Sequence, residues 1–95
     1  MTLNQDEREL LRRITEAGQP VAMSDFFHDM YPPNFPVSAP EEDPDRVAWQ
    51  EQQFGMYRAS IKLWEADLVH VVHPANGRRP DLVEPTEAGR ATLAE

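Results

Sequence analysis

Residues 32–44, PPNFPVSAPEEDP, place five prolines among thirteen positions. Proline has no amide proton to give to a helix ladder or a central strand, and its ring clashes with the preceding turn, so neither element can run through this segment. Regular structure must be built on either side of a loop longer than the roughly 2–8 residues that usually join helices. A chain of 95 residues supports one core, because at this length folding buries only about 60–70% of the unfolded surface. Residues 1–95 are therefore expected to form a single domain, with 32–44 as a proline-rich acidic loop.

Before the loop, QDERELLRRITEA at 5–17 sets Leu10, Leu11 and Ile14 at helical spacing behind an acidic first turn, with Gly18 and Pro20 as a stop. QPVAM is short and extended. Ser24 is then placed to cap a second helix, DFFHDMY, with Phe26, Phe27 and Met30 on its buried side, and Pro32 and Pro33 end it.

After the loop, a third and longest helix is expected from the Asp-Pro-Asp run at 43–45 to about Ala66. Val47, Phe54, Tyr57, Ile61, Trp64 and Leu68 follow at steps of seven, three, four, three and four, one continuous apolar face that reads as the buried one. Trp49, Met56 and Leu63, spaced by sevens, form a second apolar line on another side of this helix. LVHVVHP and DLVEP read as two strands, with Asn76–Gly77 a strong hairpin signal between them. Thr86 caps a short closing helix that is expected to lay Ala88, Ala91 and Leu93 on the core. The fold class is α+β, mainly α.

This element order is that of a winged helix-turn-helix. The stretch ASIKLWEADLVHVV followed by NGRRPDLVEPTEAGRATL resembles the end of the third helix, the wing and the wing exit of MarR-like and PadR-like regulators. The resemblance covers residues 55–93 by residue type and 5–30 by pattern. It implies a winged-helix domain with a wing hairpin over 68–85, from which this chain departs by a long proline-rich acidic insertion between its second and third helices. It also implies a third helix directed at the major groove, with the wing arginines Arg78 and Arg79 on phosphates of double-stranded DNA.

Two guanidinium forks at a hairpin tip suit bidentate phosphate recognition. Arg46, Gln50 and Gln53 at the start of the third helix are of base-reading types, and Arg58 and Lys62 lie further along it. Glu51 and Glu65 share one strip of the helix with Arg58 and Lys62, two acids with two bases, so that strip carries no net charge. A small winged-helix transcriptional regulator is the first functional expectation.

Charge opposes it. The net charge is -8, and residues 19–44 hold five acids and no base, so the chain repels polyanions at long range. The alternative is an acidic winged-helix interaction module that binds protein and not nucleic acid. Trp49, Met56 and Leu63 would pack on the loop through Phe35 and Val37 or form a homodimer through the third helix. Glu41, Glu42 and Asp43 form a solvated linker, a repulsive guard against DNA or a dock for a basic partner.

Catalysis finds no constellation. His28 with Asp25 and Asp29 reads as surface and capping chemistry, and His70 and His73 should face opposite sides of a strand. There is no glycine-rich phosphate loop, no nucleophile with a matching base and no cysteine. No enzyme activity, cofactor or metal is expected. The acidic start MTLNQDEREL is unlike a signal peptide, and no apolar run nears the roughly 20 residues that span a bilayer, so a cytoplasmic protein without membrane contact is expected.

Overall fold

The structure, a computed structural model, describes residues 2–95. Its first helix, α1 (Gln5–Ala17), begins with a capping box: Asn4 Oδ1 accepts the Glu7 amide at 2.7 Å and Glu7 Oε1 accepts the Asn4 amide at 2.9 Å. It ends at Gly18, whose φ of 68° is the left-handed cap that glycine adopts without a Cβ penalty. Leu10, Leu11 and Ile14 are wholly buried and form the centre of the core.

The chain next runs extended through Val21, which exchanges two backbone hydrogen bonds with Val83, at 3.0 and 2.8 Å. The second helix is shorter than its sequence suggests. Residues Met23–Phe26 form a 3-10 turn and α2 (Phe27–Met30) adds one α-helical turn, and Ser24 supplies no side-chain cap. The proline at 32 explains the early stop, since the residue before proline is driven out of the helical region and Tyr31 has φ -134° and ψ 80°. Phe26, Phe27 and Met30 are half-buried against the core.

No helix or strand occurs in residues 31–43. The segment is nevertheless fastened to the helix that follows. Trp49 Nε1 donates to the Tyr31 carbonyl at 2.8 Å, Arg46 Nη1 donates to the Ala39 carbonyl at 2.7 Å, and the Phe35 and Trp49 rings meet edge to face at 5.5 Å. Val37 stays outside this packing, fully exposed.

Asp43 opens α3 (Pro44–Glu65), its Oδ1 accepting the amides of Asp45 and Arg46 at 2.9 and 3.1 Å. Pro44 takes the first helical position, where a missing amide proton costs nothing. After Asp67, at φ 61°, the chain turns into strand β1 (Val69–His73), which pairs antiparallel with β2 (Leu82–Pro85). The register sets Val69 opposite Pro85, Val71 opposite Val83 and His73 opposite Leu82, with an irregularity between Val71 and His73.

The tip reverses one residue later than the Asn-Gly pair suggests. Asn76 and Arg79 bridge, and Asn76 Oδ1 accepts the amides of Arg78 and Arg79 at 2.9 and 3.2 Å. Helix α4 (Glu87–Leu93) closes the chain, with Thr86 Oγ1 accepting the Gly89 amide at 3.0 Å and donating to the Asp67 carbonyl at 2.7 Å. Its inward residues are Gly89, Thr92 and half-buried Leu93, while Ala88 and Ala91, expected on the core, are exposed. The architecture is thus α+β and mainly helical, with one two-stranded antiparallel sheet. No helix among the described residues is long and apolar enough to cross a membrane.

Candidate functional site

Helix α3 has two apolar faces, and the structure buries the one that the sequence reading left outside. Met56, Ala59 and Leu63 lie in the core with Ser60, whereas Val47, Phe54, Tyr57 and Trp64 are 41, 62, 60 and 57% exposed. Ile61 is half-buried and only Leu68, beyond the helix, joins the core from the stripe expected there. The reason is shape. Met, Ala, Ser and Leu are small or unbranched at Cβ and pack against Leu10, Leu11 and Ile14 of α1 in one close-filled core, which leaves the bulkier rings of the other stripe outside.

Met56 and Leu63 are therefore core residues and not an interface. Trp49 and Phe35, expected with them, pack on each other where the proline-rich loop meets α3, and His28 also meets Trp49 edge to face at a ring distance of 5.2 Å.

The outer face of α3 continues into an apolar groove of about 380 Å³. It is lined by Tyr57, Ile61 and Trp64 of α3, by Val71, Pro80 and Val83 of the hairpin, and by Met23 and Phe27. Asp81 brings its one charged side chain. A lining with one carboxylate among mostly carbon suits contact with apolar groups more than with an ion.

The expected DNA contacts divide. Arg46 is spent on the Ala39 carbonyl, and Gln53 Nε2 donates to the Tyr31 and Phe27 carbonyls at 3.2 and 3.4 Å. Arg79 folds back on its own hairpin, Nη1 reaching the carbonyls of Pro74 and Pro80 at 3.2 Å and of His73 at 3.4 Å. Gln50 is half-buried. Arg58, Lys62 and Arg78 are exposed, and no ion pair involves them among the described residues. Three of the seven candidates, Arg46, Gln53 and Arg79, are thus bonded within the fold, and three, Arg58, Lys62 and Arg78, stay exposed.

Other charged groups are used within the fold. On α1, Glu9 binds Arg12 at 2.5 Å and Arg13 at 2.6 Å, and Arg12 also reaches Glu16 at 2.6 Å. The Arg12 hydrogen bond first, then that of Arg13, lowers the Glu9 pKa to about 2. Tyr31 donates its phenol proton to Asp6 at 2.5 Å, and that bond, with burial, raises the phenol above its usual range. Asp6, Glu9, Arg12, Arg13 and Tyr31 line a concavity of about 520 Å³ together with Arg8, whose guanidinium is bonded to the carbonyls of Thr92 and Leu93.

Of the acidic loop, Glu41 and Glu42 are exposed and Asp43 is occupied as the α3 cap. His70 lies 3.8 Å from Glu84 across the sheet. No three His, Cys, Asp or Glu residues are placed to hold a metal ion among the described residues. Comparison with protein-family models, curated proteins and solved structures finds no match to this chain.

Proposed function

We propose that the chain is an acidic winged-helix interaction module that docks on a protein surface through the outer face of α3. The order of elements, with Val21 bridged to Val83 beside the hairpin, supports the winged-helix reading. The observation that carries the function is the row of large apolar side chains, Val47, Phe54, Tyr57 and Trp64, each at least two-fifths exposed on one helix. Contiguous patches of this kind are uncommon on monomers and mark sites of association. Aromatic residues are enriched in protein interfaces, whereas lysine, glutamate and aspartate are depleted there. A net charge of -8 turns the same surface away from nucleic acid.

A regulator that binds duplex DNA is the second reading, favoured by the exposure of Arg78 at the hairpin tip and of Arg58 and Lys62 on α3. Each phosphate contact contributes about one unit to the slope of log affinity against log salt. With Arg79 turned inward, Arg78→Ala carries most of the hairpin's share of that slope.

The two readings are separated by titrating fluorescent random-sequence duplex DNA at low salt, in parallel with an apolar dye. The interaction module leaves DNA anisotropy flat, and binds dye at a site that Phe54→Gln and Trp64→Gln weaken. Duplex binding that Arg58→Glu or Arg78→Ala abolishes would overturn the proposal in favour of the second reading.

A further inference from the structure

We infer that the partner of this face is a second copy of the chain, its α3 packed antiparallel on the first about a two-fold axis. The inference rests on the reading of the α3 outer face as a docking surface and names what covers it.

The first ground is spacing. Val47, Phe54 and Ile61 recur every seven residues, and Gln50, Tyr57 and Trp64 stand three residues after each. Alternating steps of three and four make a narrow seam that fits the matching seam of another helix. At 22 residues α3 spans roughly 33 Å, long enough to present the whole repeat.

Charge supplies the register. Glu51, Arg58 and Glu65 run at seven-residue spacing along the solvent side of the seam, and all are exposed. Antiparallel pairing with Phe54 facing Tyr57 of the second copy sets Val47 against Trp64 and Ile61 against Gln50. It also brings Glu51 beside Arg58 of the other copy, twice by symmetry. Sliding the pair by one heptad either way sets Arg58 against Arg58 or Glu51 against Glu51, which like-charge repulsion opposes. Parallel pairing would use Arg46 and Gln53 as flanking partners instead, and both are bonded inside their own subunit.

Area sets the strength. Three half-exposed aromatic rings with Val47 and Ile61 offer roughly 400 Å² of apolar surface per copy. With the flanking charges the pair buries about 1,000 Å², at the lower end for specific association and consistent with a weak dimer.

Sedimentation equilibrium from micromolar to near-millimolar concentration tests the pairing, with far-UV circular dichroism as the control for folding. The wild type is expected to shift from monomer to dimer mass. Arg58→Glu and Glu51→Arg alone should each weaken dimerisation about tenfold, and the two together should restore it. A wild type that stays monomeric throughout removes the second copy as partner; if its dye site on α3 persists, the docking surface itself stands. A dimer indifferent to either single change, or one not restored by the double exchange, overturns the antiparallel α3 contact.

Discussion

Gly89 shows how a single missing methyl group fixes the seat of α4. A Cβ built there would lie 2.2 Å from the Leu68 carbonyl oxygen and 3.4 Å from Leu11 Cδ1. In an open helix alanine is favoured over glycine by about 1 kcal/mol, so helix propensity and packing pull in opposite directions here. Packing wins, because the first neighbour is backbone and cannot swing aside. Gly89→Ala is expected to destabilise the fold by about 1–3 kcal/mol, read from the urea midpoint. Gly55, inside α3 with nothing within 4 Å of a built Cβ, is the control: its alanine variant should gain up to about 1 kcal/mol. Thr86 was legible as a cap because its partner is three residues away. The close approach at Gly89 was not, since the opposing carbonyl lies 21 positions back in sequence, at residue 68. Arg78 and Arg79 teach the same lesson at the hairpin tip: adjacent and chemically identical, they are separated by a turn that sends one guanidinium outward and the other onto three carbonyls.

At the level of the element, the ends of α1 and α3 were readable and the orientation of α3 was not. Helix ends are set by local groups, here Gly18 after α1 and the Asp-Pro-Asp run that caps and opens α3. Orientation is set by the neighbour. With one apolar stripe a periodicity settles it, but α3 has two, and the choice depended on how closely α1 needed to approach. The stripe with the larger side chains looked like the core and is instead the exposed face from which the docking surface is built. Two substitutions separated by two residues test this rotation, in unfolding measurements at concentrations too low for self-association. Met56→Ala removes a side chain with no exposed area and is expected to cost about 2–5 kcal/mol. Phe54→Ala, despite deleting the larger group, should stay within about 0.5–1 kcal/mol of wild type. Equal losses at the two positions, or the reverse order, would reject the observed rotation.

Across the whole molecule, the proline-rich segment behaves as a strap between the two halves of the chain. Its start is tied to α1 through Tyr31 and Asp6, its middle is pressed on Trp49 by Phe35, and its end becomes the cap of α3 at Asp43. Prolines lower the entropy that the unfolded loop would otherwise lose on ordering, so a segment without secondary structure can hold a fixed path. The Tyr31–Asp6 bond gives this strap a pH dependence with a definite sign. The bond favours the neutral phenol and raises its pKa above 10.0 in the folded state, so its contribution is fully present below the unfolded value and is lost as pH rises through the folded one. Tyr31→Phe is therefore expected to lower stability by about 1 kcal/mol at neutral pH and to lose less stability than wild type between neutral and strongly alkaline solution. Trp49, the single tryptophan left in a Trp64→Phe background, reports the strap directly. If the strap folds with the core, Trp49 fluorescence and far-UV circular dichroism share one urea transition at neutral pH. A Trp49 transition at lower urea would show the strap to be a separate, weaker unit, and would confine cooperative folding to α1, the sheet and the inner face of α3.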